Sequence, residues 1–353
     1  MQNIIRTLKQ KQYIKTTCYV GLSIISALLF MEFIVHFTDR SSYNSFLYDE
    51  ESGLLIHRPN TTNTIALSCL TNKAHFNTLG FYGPEILPKE PNEYRIMIMG
   101  GSLIESLQVP IKMRLDTLLQ NKLNENNSGK NFTVISVGFA GNGTFLNMLY
   151  FKKFQKTIEP DLVIDLMTNY DFGVDAPEVN HAPYFDDKGN VVTELPKTRR
   201  DPARLFIQGM MRSSKLTMNL YYKYMATKDL IKKEKNNVAT DIESTIPLYG
   251  SWDTEDKLFQ KFAELVKTSG AKFLVMSWSQ DGIIPRNFVQ SNFEPIMKKN
   301  KINTFDITQN LDDIQKQVGQ LTWSCDGHWN EAGHVAVANK MYSYLMTRPD
   351  LLK

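Results

Sequence analysis

Beyond residue 93 the chain alternates short, nearly continuous apolar runs with segments of helical period. Residues 94–99, 132–137, 162–167, 272–278 and 302–307 are rich in Val, Ile, Leu, Met and Phe. Such runs suit strands covered on both faces, as in a buried parallel sheet. After Pro110, Leu115, Leu118, Leu119 and Leu123 recur at helical spacing. Leu258, Phe259, Phe262, Leu265 and Val266 do the same, with Asp253 or Thr254 as the expected N-cap and Gly270 as the stop. Val335, Ala338, Met341, Tyr342 and Leu345 predict a closing helix. The alternation predicts a three-layer, doubly wound α/β domain over 94–353, with a mainly parallel five-stranded sheet.

Two stretches break this rhythm. Residues 39–93 are polar and turn-rich with short apolar pieces, and read as an ordered lead-in without a core of its own. Residues 172–250 read as an insertion after the third strand, at the carboxyl edge where such sheets bind ligands. It contains an expected hairpin over 184–195, turning at Asp186–Asn190, and a charged, aromatic helical run over 216–235. It serves either the site or only as a cover.

The N-terminus differs from both. From Tyr19 to Phe37 only Ser23, Ser26, Glu32 and His36 interrupt the apolar run. Residues 16–38 are long enough to cross roughly 30 Å of hydrocarbon as a helix. Arg6, Lys9, Lys11 and Lys15 precede the run without an acidic residue, which predicts a cytoplasmic tail over 1–15. The run exceeds a cleavable signal's apolar core and no small-x-small site follows, so an uncleaved signal anchor is expected. The domain would then face the periplasm or an equivalent extracytoplasmic space. Glu32 lies near the outer end of the span and reads as reaching the interface.

Bulk properties narrow the function. The 353 residues carry a formal charge of +3, with no basic stripe interleaved with aromatics, so nucleic acid is not an expected partner. The three cysteines form no C-x-x-C pair. In an oxidising compartment Cys69 and Cys325 are able to pair, though two buried thiols fit the spacing equally well.

Candidate chemistry lies at the expected strand ends. Ser102 follows Gly100-Gly101 directly after the first strand, a turn that exposes a hydroxyl above the sheet edge. Near the C-terminus, Cys325-Asp326-Gly327-His328 sets a carboxylate two residues before an imidazole. His328 is placed to take the Ser102 proton, and Asp326 to hold the other ring N–H. The glycine-rich loop 136–144 offers backbone N–H groups at a helix N-terminus, and Thr168-Asn169-Tyr170-Asp171 offers an amide at the same edge. His334 opens the closing helix and reads as packing or capping. No further cluster completes a metal site, and no cofactor is expected.

This set resembles the SGNH, or GDSL-type, esterase/lipase superfamily, over residues 94–346 with the insertion excepted. The lead-in His75-Phe76-Asn77-Thr78-Leu79-Gly80-Phe81-Tyr82-Gly83-Pro84-Glu85 also resembles the segment before the serine in membrane-anchored bacterial members. The resemblance implies a flavodoxin-like fold, Ser102 as nucleophile, His328 as base and Asp326 as its orienter. It further implies an oxyanion hole from the N–H groups of Ser102 and Gly141 and the Asn169 amide. Two departures stand out. Gly101 replaces an Asp, and Asn169-Tyr170-Asp171 replaces Asn-Asp. Strict register from Pro160 puts Tyr170 at the Asn position, and Asn169 is taken because only its amide donates similarly.

The expected function is a serine esterase removing O-acyl groups, O-acetyl first among them, from an envelope polysaccharide or related glycan. An O-acyltransferase with the same triad, fed by a membrane acyl-donor protein, is the first alternative. A non-catalytic glycan-binding or scaffolding protein is the second.

Overall fold

The computed structural model describes residues 2–38, 46–49, 51–125, 129–171, 185–195, 214–217, 220, 252–279 and 286–353. The first helix, α1 (Gln2–Thr38), contains a stretch, Gln12–Thr38, of mean hydropathy 2.1. None of its most apolar window is buried against the rest of the chain, and it is long and apolar enough to cross a membrane.

The lead-in forms two antiparallel hairpins. One pairs β1 (Phe46–Tyr48) with β2 (Leu55–His57), and the other pairs β3 (Thr62–Ala66) with β4 (Thr71–His75). In β3 and β4 the burial alternates, as expected for strands with one face on a core and one in water.

The main sheet comprises β5 (Glu93–Gly100), β6 (Asn131–Gly138), β7 (Leu162–Thr168), β8 (Lys272–Trp278) and β9 (Asn303–Asp306). These are the five expected strands. Their order is β6-β5-β7-β8-β9 and every pairing is parallel. The two faces of β5 explain the three layers. Ile96 and Ile98 pack with α3 (Leu115–Glu125) and α8 (Glu331–Thr347), whereas Met97 and Met99 pack with α4 (Thr144–Ile158) and α5 (Trp252–Thr268). All four side chains are fully buried, and each such burial stabilises by roughly 1.5–3 kcal/mol. Because β5 lies between β6 and β7, the chain reverses its winding there, and loops after these strands diverge to leave a crevice.

α5 begins at Trp252, so both expected N-caps, Asp253 and Thr254, lie inside the helix. Asp253 and Glu255 instead occupy the first turn, where carboxylates favour the helix dipole. The helix stops as expected before Gly270, whose φ is +86°. α6 (Arg286–Lys299) and α7 (Thr308–Val318) complete the cover. Of the insertion, Phe185 and Val191 bridge antiparallel around a turn closed by Asp186 N–H donating to Asn190 O at 2.9 Å. Residues 215–217 and 220 are helical, and the rest of the expected 216–235 helix lies outside the described residues.

Candidate active site

Ser102 is the first residue of α2 (Ser102–Glu105), directly after β5. This four-residue helix sits hard against β6. A Cβ on Gly138 would come within 2.1 Å of the Glu105 backbone nitrogen, so only glycine admits the approach. Ser106 closes the turn at φ +55°, its N–H donating to Ser102 O at 2.9 Å.

The loop before α8 brings the other two groups. Trp323 N–H donates to His328 O at 2.8 Å, and Gly327 N–H to Trp323 O at 2.9 Å. Gly327, at φ +76°, bends the chain between Asp326 and His328. Asn330 then caps α8, accepting from Gly333 N–H at 2.9 Å. Its amide holds the loop through Gln320 O at 2.9 Å and Thr322 O at 3.3 Å.

Across 226 residues of sequence, His328 Nε2 lies 2.7 Å from Ser102 Oγ. His328 Nδ1 lies 2.9 Å from Asp326 Oδ2. The carboxylate oxygen sits off the direction of the ring N–H, a looseness common before a substrate tightens such sites. Both side chains are partly buried, at 25% and 17% exposure. Cys325 is bonded to Cys69, which ties this loop to the lead-in hairpin β3–β4.

The cleft encloses about 290 Å³ and is lined by Ser102, Gly141, Asn142, Tyr170, Trp278 and His328 among others. Asn169 is not among the lining residues and is only 1% exposed. Tyr170, its neighbour, lines the cleft at 49% exposure. Asn142 carries a buried amide nitrogen without a partner among the described residues. Trp278, at the end of β8, packs against Trp329 with ring centroids 5.0 Å apart.

His334 lies in the wall. Its Nδ1 accepts from Leu115 N–H at 3.2 Å and its ring meets Trp329 edge-on. Burial above all, then the charges of Arg114 and His328, push its pKa down to about 3, so it is neutral. A neutral acceptor is what that hydrogen bond needs, and the packing reading of this histidine agrees.

Sequence reasoning missed a second buried contact. His57 Nε2, at the end of β2, lies 2.5 Å from Glu105 Oε1 at the end of the serine's own helix. No local pattern announces a pair 48 positions apart.

No family model matches the chain, and no curated protein matches it by sequence. Solved structures similar in backbone path include the psychrotrophic esterase EstA from Pseudoalteromonas sp., at 11% identity and TM-score 0.41, covering 72% of this chain and 98% of that one. The lipase/acylhydrolase from Enterococcus faecalis matches at 8% identity and TM-score 0.41, over 72% and 96% of the two chains. The acetyl xylan esterase AlAXEase matches at 15% and TM-score 0.39, over 71% and 99%. A putative GDSL-like lipase from Parabacteroides merdae is also similar, at 11% identity and TM-score 0.40, over 74% of this chain and 98% of that one.

Proposed function

We propose that this protein is a serine esterase that removes O-acyl groups, chiefly O-acetyl, from an envelope polysaccharide or related glycan. The observation that carries the reading is the 2.7 Å approach of His328 Nε2 to Ser102 Oγ, with Asp326 beside the far ring nitrogen.

The chemistry follows from those positions. Ser102 Oγ attacks the acyl carbonyl carbon while its proton passes to His328 Nε2. The negative charge that develops on the carbonyl oxygen meets the N–H groups of Ser102 and Gly141, both at the cleft. Asn169 supplies the third donor in this reading. Asn142 competes for that role because it lines the cleft with an unpartnered amide. As the ester C–O bond breaks, the imidazolium, steadied by Asp326, gives its proton to the departing sugar oxygen and leaves an acyl-enzyme. Water activated by His328 then releases the carboxylic acid. A cleft of about 290 Å³ suits a short acyl group.

α1 serves as the anchor, with Arg6, Lys9, Lys11 and Lys15 on the cytoplasmic side and the domain outside. Anchoring also favours the second reading, an O-acyltransferase in which a sugar hydroxyl replaces water and a membrane protein supplies the acyl group. Hydrolysis of p-nitrophenyl acetate by the wild type, lost in Ser102→Ala, tests the esterase. Undiminished hydrolysis in that variant would end the reading. Acetyl transfer to an oligosaccharide outpacing hydrolysis would favour the transferase. A folded wild type that neither turns over nor reacts with a fluorophosphonate would favour glycan binding alone.

A further inference from the structure

Ser102 rides on a helix of four residues, too short to hold its own geometry. What fixes it comes from the lead-in. Glu105, the last residue of that helix, is 5% exposed, and a carboxylate so far from water needs a partner. His57 provides it, 1% exposed, with Nε2 2.5 Å from Glu105 Oε1. The imidazole is itself immobilised. Its ring stacks on Phe76 at 3.8 Å between centroids and lies 4.6 Å from Phe46 and 5.1 Å from Phe139. The same lead-in holds the segment following the helix. Asn72 Nδ2 donates to Leu107 O and Val109 O, each at 2.9 Å, and the Tyr82 hydroxyl donates to Val109 O at 3.1 Å. Its hairpin β3–β4 then reaches the other half of the site, because Cys69, in the turn joining those strands, is bonded to Cys325, the residue before Asp326.

We propose that the lead-in, residues 46–83, is a two-point clamp that sets the distance between nucleophile and base. His57 and Glu105 are positioning residues for Ser102, and the Cys69–Cys325 bond positions the Asp326–His328 loop. The inference rests on the esterase reading for its kinetic consequence and on the geometry alone for its spectroscopic one. Each half of the site belongs to a different end of the domain, and the lead-in touches both. A displacement on the order of 1 Å between reacting groups costs on the order of a hundredfold in rate without weakening substrate binding.

The test uses the full chain in detergent. His57→Phe keeps an aromatic ring on Phe76 but removes the donor, whereas His57→Gln keeps a donor near the position of Nε2. The expected result for His57→Phe is a kcat lower by about a hundredfold with KM within about twofold, and slower fluorophosphonate labelling in proportion. His57→Gln should recover most of the rate. Reducing the disulfide in wild-type protein with dithiothreitol should independently lower kcat, and Cys69→Ser with Cys325→Ser should match it. The imidazole ¹⁵N signals of His328 report its bond to Ser102 without turnover and should move in both perturbations. Folded His57→Phe protein with wild-type kcat, or equal losses in His57→Phe and His57→Gln, would overturn the histidine anchor. Unchanged kcat and unchanged His328 signals after reduction would overturn the disulfide anchor, and with it the two-point clamp, whether or not His57→Phe folds. An inert wild type counts against the esterase reading instead, and the His328 signals then judge the clamp.

Discussion

Two loops at the carboxyl edge of neighbouring strands make an instructive pair. The turn after β5 presents Ser102 to the cleft from a packed base: Gly138 beneath, His57 against Glu105, and the lead-in around Leu107 and Val109. The loop after β7 is built differently. Asp171 accepts from Thr168 N–H at 2.6 Å and closes the turn on itself, Asn169 is buried, and Tyr170 faces the cleft. The first loop is held by β6 on one side and the lead-in on the other, which gives Ser102 one geometry. In the second, the local bond from Thr168 N–H to Asp171 shapes a turn that leaves Asn169 inside and Tyr170 at the cleft, the reverse of what an Asn donor at the cleft would require.

The largest effect should fall on the packed side. Ser102→Ala should lower kcat for p-nitrophenyl acetate by about 10⁶-fold, measured against a mock-purified blank. Asp326→Asn leaves the loop shape but offers the imidazole the wrong partner, and should lower kcat on the order of 10⁴-fold. The variable side should respond more mildly and more revealingly. Loss of a true oxyanion donor should lower kcat by roughly 10²–10³-fold with little change in KM. Asn169→Ala and Asn142→Ala, assayed side by side, should show that loss in only one of the two. Equal and small effects in both would mean that backbone N–H groups alone meet the oxyanion.

The smallest effect on activity, and a distinct one on stability, belongs to His334. Its folded pKa of about 3 lies below the ordinary histidine value of 6.5, so the unfolded chain takes up the proton first. Stability is therefore complete above about pH 6.5 and declines as pH falls towards 3, by up to about 1.4 kcal/mol per pH unit within that window. His334→Asn, which retains an acceptor for Leu115 N–H, should flatten that decline. Urea midpoints at pH 5 and pH 7 would show it, while kcat at pH 7 changes little.

The contrast between the two loops also explains what was legible. Each of the five strands was visible as an apolar run because strands buried on both faces leave no polar alternation. Ser102, Asp326 and His328 were visible because glycine turns after a strand and an Asp-x-His pair before a helix are short-range patterns. Asn169 was a choice between adjacent residues, and which of two neighbours faces a cleft depends on the loop's φ and ψ, not on residue type. His57 was silent, since a histidine in a three-residue strand has no signature until its carboxylate partner is known.

Chain order, hydrophobic period and turn chemistry alone set the parallel sheet, the apolar N-terminal helix and the choice of candidate site residues, because each depends on residues within a few positions of one another. Tertiary structure alone decided that Ser102 and His328 meet at 2.7 Å, that Cys69 bonds Cys325 and that His57 secures Glu105. Those contacts join positions 226, 256 and 48 residues apart, and only packing of the whole core determines such distances.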